Sequence, residues 1–370
     1  MTRISENIIE QIRVSADIVD VISTYIELKK KGRNFFGLCP FHNEKTPSFS
    51  VNQDKQIYKC FGCGAGGGVI NFVMDVDNID FITATRKLAS MYNIEIADSE
   101  KDKYTKDLKS QLLKINSLAL NFFQQNLNSS NGEKIKQYLI DRNFNQSTID
   151  TFNLGYSGTS PKALLETLQK NNLNANALKQ SGLFYESDKG YFDRFRSRLI
   201  FPINDKVGKI IAFAGRVIDN NQNIAKYINS PETPIYNKSK TFYGLDKASD
   251  SIRKNKFVVI VEGYFDLMRL YQNGLSNVVA ISGTSFTDQH ASIIKQYTEN
   301  IFIAFDGDIP GIKSAIKTGY ILIKNSISPK IILIPKNQDP DDYVQENGLD
   351  AFIQIKDNSL LRLRDKTNYY

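Results

Sequence analysis

Three acidic clusters punctuate residues 256–342: Glu262-Gly-Tyr-Phe-Asp266, Asp306-Gly-Asp308 and Asp339-Pro-Asp-Asp342. The first two each end a short run of β-branched and aromatic residues, Lys256-Phe-Val-Val-Ile-Val261 and Asn300-Ile-Phe-Ile-Ala-Phe305. A buried parallel strand ends in this way on reaching the carboxyl edge of its sheet, where ligands collect. Like charges gathered there need compensation, and hard carboxylate oxygens suit Mg²⁺, which completes its shell with water and phosphate. Glu262, Asp306 and Asp308 are therefore the candidate catalytic carboxylates. With Asp339 and Asp341 they form a candidate magnesium set, and the chemistry is metal-assisted phosphoryl transfer. An isolated Asp-Gly-Asp is equally a turn, and Glu262 alone a solvated cap; the joint pattern at successive strand ends favours a site. Asp266, one helical turn past Glu262, is either an outer-sphere ligand or a helix N-terminal acid.

A second constellation lies near the N-terminus. Cys39-Pro-Phe-His42 and Cys60-Phe-Gly-Cys63 give Cys-x2-His, a hairpin-length spacer, and Cys-x2-Cys. Two ligand pairs on two tight knuckles make the tetrahedral sulfur and nitrogen set that Zn²⁺ prefers, and four protein ligands leave no open position. One structural zinc per chain is expected, held by Cys39, His42, Cys60 and Cys63. Lys29, Lys30, Lys31, Arg33, Lys45, Lys55 and Lys59 are interleaved there with Phe35, Phe36, Phe41, Phe49, Tyr58 and Phe61. Rings amid cations suit a single-stranded nucleic acid, bases stacking while charges follow phosphates; most of these rings are expected in the small core, with a minority exposed. His290, the other histidine of the chain, is expected to be a helix cap or surface residue.

The third feature is basic. Within Tyr191-Phe-Asp-Arg-Phe-Arg-Ser-Arg-Leu-Ile-Phe-Pro202, Arg194, Arg196 and Arg198 alternate with Phe195, Ser197 and Leu199. If this stretch is one strand, period-2 geometry puts the three guanidinium groups on one side, able to hold phosphates; the plainer alternative is a solvated strand face. Arg216, Lys226 and Lys238 follow.

These residues need positioning elements. Val278-Val-Ala-Ile-Ser282 and Lys330-Ile-Ile-Leu-Ile-Pro335 are further strand-like runs, separated from the acid-tipped ones by helix-length segments, so a parallel α/β sheet is expected over 256–341. Lys209-Ile-Ile-Ala-Phe-Ala-Gly-Arg216 reads as a strand of a mixed α/β basic subdomain over 112–255, opened by a helical pattern from Leu112. Ile4, Ile8, Ile9 and Ile12, then Ile18, Val19 and Ile22, predict one or two short helices leading into a zinc-binding domain over 1–97. Residues 98–111 are almost wholly polar and read as a tether, and 342–370 as a short helical C-terminal segment.

The chain of 370 residues carries a net charge of +7 and a pI near 9.0, which suggests an anionic partner without naming one. Its three cysteines cluster between Leu38 and Gly64, an odd number that excludes a disulfide framework and fits a reducing compartment. No apolar run approaches the roughly 18 residues of a membrane span and the N-terminus has no signal-peptide pattern, so a cytoplasmic location without membrane contact is expected. No phosphate-binding Gly-x4-Gly-Lys-Ser/Thr occurs, which excludes a fused helicase.

Glu262-Gly-Tyr-Phe-Asp266 and Asp306-Gly-Asp308 resemble the signature of the Toprim fold, shared by bacterial primases, topoisomerases and certain nucleases. Cys39-Pro-Phe-His-Asn-Glu-Lys-Thr-Pro-Ser-Phe49 with Tyr58-Lys-Cys-Phe-Gly-Cys-Gly64 is similar to the zinc ribbon of bacterial replicative primases of the DnaG type. Tyr138-Leu-Ile-Asp-Arg142, Arg194-Phe-Arg-Ser-Arg-Leu-Ile-Phe-Pro202, Phe213-Ala-Gly-Arg216, Lys226-Tyr-Ile-Asn-Ser-Pro-Glu-Thr233 and Tyr243-Gly-Leu245 resemble the basic half of that family's polymerase core. The resemblance spans almost the whole chain. It implies a zinc ribbon that helps read a single-stranded DNA template, and a core that joins ribonucleoside triphosphates into RNA primers with Mg²⁺ or Mn²⁺. It also implies that Arg142, Arg216, Lys226 and Lys238 contact template or nucleotide. A replicative helicase is the expected partner of the family within a primosome, but its usual helical docking region is not evident before Tyr370, as in a truncated or unusually short chain. A Toprim nuclease or topoisomerase, or a non-enzymatic zinc module, are the competing expectations; the ribbon in front and the arginine-rich segment speak against the first.

Overall fold

The structure, a computed structural model, describes residues 4–95, 100–171, 173–218, 224–281, 283 and 285–359. Contacts divide the chain into two units, Met1–Lys106 and Asp107–Tyr370.

In the first unit, helices Glu6–Ser15 and Ile18–Ser23 start at Ser5 and Asp17, whose side chains accept from backbone N–H groups of the first turn. The isoleucine periodicity thus resolves into two helices. Five strands follow in sequence order in one antiparallel sheet: Lys29–Lys31, Asn34–Gly37, Phe49–Asn52, Ile57–Cys60 and Gly66–Gly67. The spacer between the ligand pairs is indeed a hairpin, with Phe49 opposite Cys60. Helices Val69–Asp77 and Phe81–Met91 complete a core in which Phe49 and Tyr58 stack at 5.2 Å and Phe72 meets both edge-on. Most of the rings are spent on this core, while Phe61, between Cys60 and Cys63, is 75% exposed.

The second unit holds an antiparallel sheet and a parallel one. The antiparallel order is Tyr227–Asn229, Ile210–Val217, Arg198–Asn204, Gly155–Tyr156. The parallel order is Val278–Ala280, Val258–Val261, Ile301–Ile303, Lys330–Ile331, with every pairing parallel. Val258–Val261 is central and buried on both faces. Val259 and Val261 pack into one hydrophobic cluster with Phe265 and Phe352, and Val258 and Ile260 into another with Ile252 and Ala291. Burial on both faces explains why the strand reads as continuous Val and Ile without alternation.

Three expectations need correction. Residues 191–202 are not one strand. Gly190–Asp193 pairs with Phe184–Ser187, Arg198–Asn204 pairs in the antiparallel sheet, and Ser197 between them has φ +52°. The buried Asp193 carboxylate accepts from the N–H groups of Leu164 and Leu165, which ends the first strand and breaks the alternation. The segment 98–111 is helical from Glu100, within helix Glu100–Asn128, while residues 98 and 99 lie outside the described residues. Lysine, glutamate and glutamine favour helix even without a buried face, and pairs such as Gln111 donating to Asp107 at 2.6 Å support it. Of the two places expected for His290, the cap holds and the surface does not: it is fully buried, its Nδ1 meeting Thr287 in the capping box of helix Asp288–Lys295 and its Nε2 facing the Thr241 carbonyl. The C-terminal helix, Pro340–Asp357, begins two residues before the expected 342–370 segment, and residues 360–370 lie outside the described ones.

Gly307 is where the backbone beside the acids runs tightest. A Cβ built there would lie 2.0 Å from the Pro335 carbonyl oxygen. Gly307→Ala should therefore cost about 1–3 kcal/mol by overpacking and disturb Asp306 next to it; a denaturant titration beside an assay of divalent-ion binding checks both.

Candidate active site

Glu262 leaves Val258–Val261, and Asp306 follows Ile301–Ile303 on the neighbouring parallel strand, so both emerge at the same sheet edge. Asp308 caps helix Ile309–Lys324, its Oδ1 accepting from the Gly311 N–H at 2.7 Å. Asp339 caps helix Pro340–Asp357 by accepting from the Asp342 N–H at 2.7 Å. One carboxylate oxygen from each of Asp339, Asp341 and Asp342 lies within 4.8 Å of the others.

The acids of the three clusters perturb one another. Burial and then the charge of Asp306 push the Glu262 carboxyl up to about 7, opposed by a hydrogen bond from the Ser314 hydroxyl and aided least by Asp308. Burial, then Asp339, Asp308 and Asp342, push Asp306 up to about 6, with Lys226 opposing. Asp339 is raised by burial and by Asp342 and Asp341, and Asp266 is raised well above the usual range by burial and by Asp339, Asp306 and Asp341. Mutual repulsion among half-buried carboxylates is what a bound dication would relieve. The buried Glu262 Oε1 has no hydrogen-bond partner, an open lone pair that fits an ion. The donor set thus suits Mg²⁺ or Mn²⁺ on chemistry and on an orphaned oxygen.

The raised values set a pH dependence in metal-free protein. Glu262 titrates at about 7 when folded and near 4.5 when unfolded, so the folded state binds the extra proton between those values and stability falls as pH rises through that window. Asp306 does the same between its ordinary 3.8 and about 6. Melting temperatures of the metal-free protein against those of Glu262→Gln and Asp306→Asn should converge at low pH and separate toward pH 7 and above, and saturating Mg²⁺ should reverse the parent's loss.

Asp341 and Asp266 are also engaged by other groups of the protein. Asp341 is completely buried; Arg269 Nε donates to its Oδ1 at 2.6 Å and an Arg142 terminal nitrogen to its Oδ2. Asp266 accepts from the Gly263 N–H at 2.8 Å in the capping box of helix Tyr264–Gln272, and from the Asp341 N–H at 3.3 Å. Here it is the helix N-terminal acid.

The predicted cations divide. Arg142 and Arg216 both pack on the rings of Phe265, at 4.6 and 4.7 Å, and of Tyr138, at 5.9 and 5.6 Å, and Arg216 donates to the Tyr227 hydroxyl at 2.8 Å. The Nε of each arginine is buried without a partner. Exposed Lys226 lies close enough to Asp306 to lower its pKa. The arginine row, by contrast, does not exist as a row. Arg194 donates to the carbonyls of Gly182 and Phe184, and buried Arg198 to those of Gly215, Ala225 and Lys226. Both guanidinium groups are spent on backbone oxygens instead of facing a ligand; Arg198 thereby braces the Lys226 backbone. Arg196 alone of the three is exposed. Lys238 lies in the short turn Lys238–Lys240 with its N–H on Glu232 Oε1 at 2.8 Å, and no described contact brings its ammonium to the acids.

Arg269 was missed. The available signal was an arginine three residues after Asp266 on an otherwise apolar helix, where a buried charge needs a buried counter-charge.

In the first unit, ligand atoms of Cys39, His42, Cys60 and Cys63 lie within 4.8 Å of one another. Cys39 and Cys63 sulfurs are 3.8 Å apart and Cys60 Sγ is 3.8 Å from His42 Nδ1, against the roughly 3.6–3.8 Å edges of a tetrahedral zinc site. His42 Nε2 faces Glu44 Oε2 at 3.3 Å, the outer carboxylate that fixes a ligating imidazole, and Glu44 also accepts from the N–H groups of Cys39 and Ser48. The four side chains fit zinc. Among the described residues no helix is long and apolar enough to cross a membrane.

A family model for the CHC2 zinc finger matches residues 4–104, one for the N-terminal domain of the DNA primase catalytic core residues 122–249, and a Toprim-like model residues 259–344. The chain is 43% identical over 362 residues to a DNA primase of Clostridium acetobutylicum, covering 96% of this chain and 59% of that protein. It is 37% identical over 365 residues to one of Listeria monocytogenes, covering 96% and 58%. The chain thus spans about three fifths of the length of the curated relatives it matches. Among solved structures, it superposes on the zinc-binding and RNA polymerase domains of Aquifex aeolicus primase with a TM-score of 0.63, 32% identity, and coverage of 95% of this chain and 85% of that one. A DnaG primase catalytic domain bound to single-stranded DNA gives 0.64 and 30%, covering 69% and 80%.

Proposed function

This chain belongs to the bacterial DNA primases of the DnaG type, and from that premise we propose that it synthesises short RNA primers on single-stranded DNA from ribonucleoside triphosphates. The observation that carries this is the acidic sheet edge, with its orphaned Glu262 oxygen, facing cations of the same unit. Glu262, Asp306, Asp308 and Asp339 would hold Mg²⁺ or Mn²⁺. A dication there supplies charge neutralisation for the reacting phosphates and acidifies the attacking 3′-hydroxyl. Arg142 and Arg216, stacked on Phe265 and Tyr138, and Lys226 would bind triphosphate and template phosphates, with Arg196 and Lys238 as outlying contacts. Arginines whose planes are already fixed by aromatic rings lose little freedom on gripping a phosphate, so the contribution is mainly positioning.

The zinc-binding domain, through Phe61 and the surrounding lysines, would meet template bases and phosphates. We assign the zinc-binding domain to 1–97, the basic subdomain to 112–255, the catalytic subdomain to 256–341 and a C-terminal helical segment beyond it. A replicative helicase is the partner expected for the family, in the cytoplasm. The deciding experiment incubates the protein with single-stranded template and labelled ribonucleotides, with and without divalent ion. Metal-dependent de novo RNA supports the assignment; cleavage of nicked or supercoiled DNA in its place would mark a nuclease or topoisomerase.

A further inference from the structure

Arg269 lies in helix Tyr264–Gln272 with 3% of its surface exposed, and every branch of its fork is engaged. Nε donates to Asp341 Oδ1 at 2.6 Å, one terminal nitrogen to the Asn143 carbonyl at 3.2 Å, and the other to the Arg142 carbonyl and to Gln345 Oε1 at 3.1 Å. The guanidinium carbon rests 4.4 Å from the centre of the Phe144 ring. One side chain thus joins the helix that follows Glu262, the turn carrying Arg142, and the acidic start of helix Pro340–Asp357.

Asp341 answers on both sides. Arg142 takes its second oxygen, and its N–H donates to Asp266. A carboxylate holding two charge-assisted bonds has its strongest acceptor directions committed, and a dication competing for them would strand a buried guanidinium. Asp339 is in a different position. It is half-buried, and only Pro340, whose ring fixes φ, separates it from Asp341. Anchoring residue 341 therefore fixes the direction of residue 339.

We propose that Arg269 is a positioning residue that fastens Asp341 as an anchor, so that Asp339 is presented to the ion and the Arg142 turn is held beside it. Asp341 is then not itself a ligand. The proposal rests on the metal-dependent assignment of the acidic edge.

The test is Mn²⁺ binding to the full chain, followed by the electron paramagnetic resonance of free Mn²⁺, below the melting transition of every variant. Arg269→Gln and Asp341→Asn should each weaken Mn²⁺ binding about 10-fold, the effect of removing an outer-shell support. The double variant should be no worse than either single one, and Arg269→Lys, which keeps charge but not the fork, should fall between. Where Arg269→Gln does not fold, Arg269→Lys with Asp341→Asn carries the same cycle.

A merely structural arginine would leave Mn²⁺ affinity unchanged, and a merely electrostatic one would give tighter binding once its repulsion is gone. Either result overturns the proposal, as do losses that multiply in the double variant, which would mark Asp341 as an independent ligand. Primer synthesis by the parent, assayed in parallel, is a separate readout: its failure would remove the primase assignment while the Mn²⁺ comparison still decides the role of Arg269.

Discussion

Asp306→Ala and Glu262→Gln are each expected to lower primer synthesis by about 10³-fold or more, since an ion that loses a ligand no longer sits where phosphate charge develops. The same substitutions should leave zinc content and retention of single-stranded DNA near the parent's, because the zinc ligands belong to the first unit and neither residue supplies a cation to the template. Glu262→Gln carries a second, opposite signature. The carboxylate is held up to about 7 chiefly by burial, so above that pH the folded metal-free protein must keep an unfavourable charge that the unfolded chain solvates freely. The amide removes that penalty, and the variant should melt higher than the metal-free parent at pH 8 while being nearly inactive. A residue serving only as a cap would show the reverse, with activity retained and stability lost. Unchanged synthesis in either variant would reject the acidic edge as the catalytic centre.

Removal of zinc should be the other large effect. Structural zinc contributes an apparent ~10–16 kcal/mol in small zinc domains, against a net stability of about 5–15 kcal/mol for a folded domain. Cys60 is fully buried at the end of the Ile57–Cys60 strand and Cys39 lies just past Asn34–Gly37, so the ion would clasp two strands of the sheet. Stripping the metal, or replacing Cys60 by Ser, is expected to unfold the first unit. The transition of the second unit should persist in a thermal melt, because its core of Val259, Phe265 and Phe352 shares no residue with that sheet. Primer synthesis should fall while Mn²⁺ binding at the acidic edge remains. A metal-free protein, verified by elemental analysis, that melts as the parent does would show that the four ligands fit zinc but do not depend on it.

The residues behind both effects are legible in the sequence, and for the same reason. Cys-x2-His with Cys-x2-Cys, and acids placed directly after Val258–Val261 and Ile301–Ile303, are local patterns in which spacing along the chain fixes spacing in space. Short strands buried on both faces and the hairpin between the ligand pairs are local in the same sense. Where the arginines go is not. Arg194, Arg196 and Arg198 alternate as a strand should, but one residue at positive φ, Ser197, and a buried Asp193 capping a distant helix turn two of them onto backbone carbonyls. Asp341 shares its cluster with Asp339, yet its neighbours include Arg142 and Arg269, 199 and 72 residues away in sequence. The sequence alone determined which groups could bind cations and at which sheet edge they would gather. Only the tertiary structure decided which charges face solvent and which are spent on one another, because a buried ion pair is settled by distance across the core, where sequence separation carries no information.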